Sequence, residues 1–175
     1  MFFSTLLEER GNEMQDKWKV LSKRLKGERS LLGSRVEAEV LLKIWLTGNA
    51  EVVESGNDII AFGALWSASK KGAEQWLEIG SLWVAGEFRG RGIISELFAS
   101  LIIRISDKNR AFLITHDPKV AHLAVKHGMH EESVGTWFAS VPWEASCGPC
   151  DRMPNRDKTI CRFRAVTNEC RLFVL

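Results

Sequence analysis

The feature that most constrains this chain is a strand that runs into a glycine- and arginine-rich turn and then into a helix. It reads Leu77-Glu78-Ile79-Gly80-Ser81-Leu82-Trp83-Val84-Ala85-Gly86-Glu87-Phe88-Arg89-Gly90-Arg91-Gly92-Ile93-Ile94-Ser95. The helix that follows places Leu97, Phe98, Leu101 and Ile105 on one face. Chemically, such a turn is an anion site. The first turn of a helix has unpartnered N–H groups, and the helix dipole adds partial positive charge there. Glycines let the backbone approach a phosphate closely, and Arg89 and Arg91 add charged donors. Taken alone, the turn is equally consistent with a tight strand–helix connection whose arginines are solvated.

The rest of the pattern supplies the context. Residues 5–28 carry Leu6, Leu7, Met14, Trp18, Leu21 and Leu25 at helical spacing, as one helix or as two broken at Gly11. A second helix is expected over 31–46, with Val36, Val40, Leu41, Ile44 and Trp45 as its stripe and Gly48 as its stop. Strands are expected over 51–54, 58–67 and 75–85, the first two joined as a hairpin by Ser55-Gly56-Asn57. Residues 110–116 read as a strand. Asp117-Pro118 then opens a helix that buries Val120, Leu123 and Ala124 and stops at Gly128. Further strands are expected near 134–141, 159–166 and 171–175. Helices placed between strands argue for an α/β fold with a mixed sheet. At 175 residues, with 45% hydrophobic and 26% charged content, the chain suits one domain that needs no staples. That domain divides loosely into a helical part (1–48), a core (49–135) and C-terminal strands with a cysteine-containing insert (136–175).

Charge excludes little and suggests little. A net charge of +2 gives no argument for nucleic acid or a membrane surface. The basic cluster Lys17, Lys19, Lys23, Arg24, Lys26 and Arg29 is interleaved with Glu13, Asp16 and Glu28, and it reads as a solvated helix face. No apolar run is long enough to span a bilayer. The start, Met1-Phe2-Phe3-Ser4 followed by Glu8 and Glu9, lacks the basic-then-apolar pattern of a secretion leader. The expectation is a cytoplasmic protein with reduced cysteines.

The stretch from Glu78 to Ile93 resembles the coenzyme A motif of the GNAT acetyltransferases. Glu78, Ile79, Leu82, Val84, Arg89, Gly90, Gly92 and Ile93 match in register without a gap. A second segment of that family matches from Asp117 to Met129, through Leu123 and Gly128, with Asp117 in place of an Asn cap and Met129 in place of Phe. The resemblance covers about residues 50–135. It implies the GNAT fold, a mixed and mostly antiparallel sheet flanked by helices, and acetyl-CoA as co-substrate. It also implies that amides of residues 89–95 (Arg89, Gly90, Arg91, Gly92, Ile93, Ile94 and Ser95) hold the pyrophosphate. Asp117 joins this binding set, and the strand edge near Leu82, Trp83 and Val84 pairs with the pantetheine arm. An amide near Trp83–Ala85 then faces the oxyanion.

Two positions depart from the family pattern. Ile94 stands where the last glycine of the turn is usual. Ala124 stands where a tyrosine commonly protonates the departing thiolate, and the chain contains no Tyr at all. The thiolate could leave without a protein acid, or a histidine could serve, with His116 at a strand end ahead of His122 and His127 on a helix. Glu78 is the candidate general base, because acyl transfer needs the amine neutral when it attacks. An ordinary strand Glu facing solvent or an arginine is the alternative.

Cys147-Gly148-Pro149-Cys150, with Cys161 and Cys170, offers four thiols that could hold a structural zinc. The loose spacing after the first pair favours free thiols, and the prolines argue against a redox motif. Trp137, Phe138 and Trp143 near this insert could line an acceptor pocket or simply pack. Three functional readings follow. The first is an N-acetyltransferase acting on an amine-bearing acceptor. The second is an acyl-CoA-binding protein that has lost turnover. The third adds a nucleic-acid or protein partner through the basic helix and a zinc-bound tail. The acceptor is not identified, and self-association as a homodimer stays open.

Overall fold

The computed structural model describes residues 2–28, 35–68, 75–132, 141–142, 144–147 and 170–175, with backbone alone for 2–13, 144 and 147. Helix α1 (Phe2–Lys26) runs through Gly11 without a break, and α2 covers Ala38–Leu46. Strands β1 (Ala50–Ser55) and β2 (Asp58–Ser67) form the expected hairpin, and Gly56 takes the positive φ of 59° that the turn requires. After β3 (Trp76–Val84) come a single 3-10 turn over Gly86–Phe88 and α3 (Ile93–Ile103). Next are β4 (Arg110–Thr115), α4 (Pro118–Lys126), β5 (His130–Glu131), the four-residue α5 (Glu144–Cys147) and β6 (Arg171–Val174).

The strands form one mixed sheet in the order β1-β2-β3-β4-β6-β5. Every pairing is antiparallel except β3 with β4. That exception follows from the chain path. A crossover through α3 returns β4 in the direction of β3, as a strand–helix–strand unit demands. Helices cover both faces. On one, Trp18, Leu21 and Leu25 of α1 and Leu41 of α2 pack on Ile60, Phe62, Ala64 and Trp83. On the other, Leu97, Phe98 and Leu101 of α3, with Ala121, Leu123 and Ala124 of α4, pack on Ala61, Leu65, Leu77, Ile79 and Val84.

The β2–β3 register slips between Phe62 and Ala64, opposite Ser81, whose φ is +55°. This bulge changes the phase of β3. Leu77 and Ile79 face α3, yet so do Leu82 and Val84, three and five residues after Ile79. Glu78 and Gly80 therefore share the α1/α2 face with Trp83. The α3 helix lies close to the sheet because position 63 has no side chain: a Cβ on Gly63 would come within 3.0 Å of Leu101 Cδ1 and Leu82 Cδ2, and closer still to Leu97.

The second helix begins at Ala38 rather than at residue 31, where positions 31–34 lie outside the described residues. Much of the expected 134–141 strand and all of the 159–166 strand also fall outside them. The short β5 was not anticipated. Two exposed residues carry too little alternation to be read as a strand.

Candidate active site

A cleft of about 480 Å³ opens where β3, the glycine turn and two helix starts meet. Leu82, Trp83 and Val84 form one wall, and Phe88, Arg89, Gly90, Gly92, Ile93 and Ile94 form the floor. Asp117, which caps α4, and Lys119, Val120 and Leu123 of α4 also line the cleft, as does Glu28 after α1. The cleft exists because β3 and β4 part. Their ladder runs from Trp76↔Arg110 to Glu78↔Phe112 and ends there, although β3 continues to Val84 and β4 to Thr115. Beyond Glu78 the facing edges of the two strands diverge.

The turn is built to present amides. Gly90 and Gly92 have φ of 81° and 83°, and Gly92 caps α3 without a side-chain bond. Arg89 and Ser95 return their N–H groups to the carbonyls of Gly86 and Gly92. No acceptor among the described residues takes those of Gly90 to Ile94. Of the amides of residues 89–95 that the resemblance implies, those of 90–94 are thus without a described acceptor, whereas those of Arg89 and Ser95 are engaged. The Ala85 amide is likewise spent on the Ile60 carbonyl at 2.8 Å, which removes it from the oxyanion donors.

Side chains sort unevenly. Arg89 donates through Nε to the Val84 carbonyl at 2.8 Å, fixing the turn to the strand end. Its Nη2 donates to Glu28 Oε1 at 2.7 Å, and the same oxygen accepts from Trp83 Nε1 at 3.1 Å. Arg91 stands outside the cleft lining, stacked on Phe88 and donating to the Glu87 carbonyl. Ser95 also points elsewhere, to His127 Nε2 at 3.2 Å and to Lys126. Ile94 lines the cleft and packs inward on the α3-side core. Asp117 lines the cleft and caps α4, accepting from the Lys119 amide at 2.8 Å.

Glu78 and His116 are not among the cleft-lining residues. Glu78 is buried on the α1/α2 face, with Oε2 2.7 Å from Arg35 Nη2. His116 is half-buried just after β4. Ala124 is fully buried in the core and is not among the cleft-lining residues. Among the described residues no group of His, Cys, Asp or Glu could hold a metal ion. Cys150 and Cys161 lie outside those residues, Cys147 ends α5, and Cys170 is half-buried before β6. Trp137, Phe138 and Trp143 lie outside them too. No described helix is long and apolar enough to cross a membrane.

Sequence reasoning missed Glu28 and Lys119. Glu28 reads as one acidic residue diluting a basic helix. Its partners lie 55 and 61 positions away, so no local pattern reveals it. Lys119 follows Asp117-Pro118 as a cation at a helix start, against the dipole, and that was a readable signal for an anion nearby.

A model of the acetyltransferase (GNAT) family matches residues 24–129, well over half of the chain and all of this cleft. The chain belongs to the GNAT acetyltransferase family. Solved structures agree in fold. The Rv2747 protein from Mycobacterium tuberculosis, in complex with CoA, is 18% identical with a TM-score of 0.54, covering 92% of this chain and 95% of its own. A GNAT-family acetyltransferase from Streptococcus agalactiae gives 14% and 0.54, covering 93% and 89%. N-acetylglutamate synthase from Neisseria gonorrhoeae, complexed with coenzyme A and N-acetyl-glutamate, gives 17% and 0.53 over 90% of this chain. The chain spans only 31% of that synthase. No curated protein sequence matches this chain significantly.

Proposed function

We propose that the chain moves an acetyl group from acetyl-CoA to an amine acceptor by direct attack. One observation carries this reading: Gly90, Gly92, Ile93 and Ile94, whose amides have no described acceptor, line the same cleft as the parted edge of β3. The amides and Arg89 suit a pyrophosphate, with Lys119 opposite. The edge from Leu82 to Val84 suits an extended arm that ends in a thioester.

In this reading the amine lone pair attacks the thioester carbonyl carbon, forming the C–N bond while the carbonyl pair moves onto oxygen. An amide on the Leu82–Val84 edge donates to that oxyanion. Collapse breaks the C–S bond, and CoA leaves as the thiolate. Ala124 offers no proton, so water supplies it, which a thiol's modest pKa allows. The proton lost by the amine passes to Glu78, through water because Glu78 lies outside the cleft lining. The buried Ala124 equally favours a chain that binds acyl-CoA without turnover.

Calorimetric titration with acetyl-CoA, on wild type and Gly90→Asp, tests the reading. Saturable 1:1 binding that the variant loses supports it, and thiol release with an amine panel separates turnover from binding alone. A folded wild type that does not bind acetyl-CoA would rule it out.

A further inference from the structure

Glu28 reaches the cleft from the face opposite the glycine turn. It follows α1, which packs with α2 on one face of the sheet, whereas the turn opens α3 on the other. Both line one cleft because that cleft lies where β3 and β4 part. A molecule laid on the turn and a second one arriving from the α1 side therefore meet there.

The Glu28 carboxylate is held through one oxygen. Oε1 accepts from Trp83 Nε1 at 3.1 Å and from Arg89 Nη2 at 2.7 Å. Among the described residues no donor reaches Oε2. Donors from β3 and from the turn thus fix the group and leave its second oxygen for another donor. The side chain is 36% exposed, so that donor has access from solvent.

Charge selects the donor. The charged residues lining the cleft are Glu28, Asp117, Arg89 and Lys119, which cancel in sum. A pyrophosphate on the turn makes the total negative, with its charge placed against Arg89, the counter-ion of Glu28. With the cofactor bound, the free oxygen of Glu28 thus favours a cation. An ammonium supplies both donor and charge. A hydroxyl or a neutral arylamine supplies the donor alone.

We propose that Glu28 seats the acceptor, and that the acceptor meets it as a primary alkylammonium. The inference rests on the acetyltransferase reading above and adds the group that selects the amine. The ammonium donates to Glu28 Oε2. One of its protons leaves to water, and the freed lone pair forms the C–N bond. The next proton is lost by the route already given. The product amide is neutral, so Glu28 holds it weakly and it departs.

The test measures CoA thiol release at neutral pH with n-butylamine, 2-phenylethylamine and spermidine, which are cations there, and with aniline, which is not. KM for the best cation should be at least about tenfold below that for aniline. Glu28→Gln keeps an oxygen for Trp83 and Arg89 and loses the charge. Its KM for that amine should rise about tenfold while kcat changes little, and acetyl-CoA should bind at least as tightly as to wild type. That binding also reports that the variant folds. A lower KM for aniline, no alkylammonium turnover by a protein that binds acetyl-CoA, or an unchanged KM in Glu28→Gln would overturn the seat and leave the acetyl-CoA reading standing. Weaker acetyl-CoA binding by Glu28→Gln would overturn it too, because Glu28 would then serve to hold Arg89. Failure of wild type to bind acetyl-CoA would remove both the seat and the reading beneath it.

Discussion

Arg35 Nη2 lies 2.7 Å from Glu78 Oε2, and both side chains are largely buried, Arg35 lying over Trp66 and donating to the Ala145 carbonyl. Breaking such a pair from one side strands a charge. Arg35→Met should therefore destabilise the protein by about 3–5 kcal/mol, and Arg35→Met with Glu78→Gln should recover much of the loss. Urea denaturation of the two variants measures this. A single variant as stable as wild type would mean that the pair is hydrated.

Asp117 serves two purposes that a substitution can separate. Its carboxylate caps α4 through the Lys119 amide, and it also stands in the cleft. Asp117→Ala should cost about 1 kcal/mol of stability, whereas Asp117→Asn keeps the cap and costs little. Removing a negative charge from an anion site should also make Asp117→Asn bind acetyl-CoA more tightly than wild type. Thermal melts and calorimetry together read both effects.

Gly63 is required by packing rather than by its dihedral angles. A side chain there enters the space held by Leu97, Leu101 and Leu82. Gly63→Val should destabilise by roughly 1–3 kcal/mol, with Gly63→Ala milder, because α3 must lift from the sheet. Since α3 carries the glycine turn, acetyl-CoA affinity should fall in the same order.

Glu131 and Arg171 form an ion pair at the sheet edge, between β5 and β6. Arg171 donates to Glu131 at 2.7 and 2.6 Å, and this bonding holds the Glu131 carboxyl below its ordinary value of 4.5, against a smaller opposing effect of burial. A depressed folded value stabilises above the unfolded value and is lost as pH falls through the folded one. The β5–β6 contact should thus weaken only below about pH 4.5. Glu131→Gln should flatten that acid limb of a stability–pH curve and change little at pH 7, since the pair is solvent-exposed.

Local pattern carried most of the elements. The turn residues around Gly56, the Asp117-Pro118 cap and the strand–turn–helix at Arg89–Gly92 depend on backbone chemistry that neighbouring residues dictate, so they were legible directly. The Ser81 bulge was legible in principle. Leu77 and Ile79 alternate, then Leu82 and Val84 resume one position out of phase, and that break is what an inserted residue produces. Reading residues 75–85 as one uniform strand passed over it.

What the sequence determined by itself is the fold class, the glycine turn between β3 and α3 and the family, because each rests on contiguous residues whose spacing matches a backbone geometry. Only the tertiary structure decided that Glu28 joins Arg89 and Trp83 at the cleft, and that Ala124 faces the core. It alone turned Glu78 away from the cleft towards Arg35, beside Trp66 on the neighbouring strand. These are contacts between distant segments. They depend on strand register, on one bulge and on how closely α3 approaches at Gly63, and none of these leaves a periodic trace along the chain.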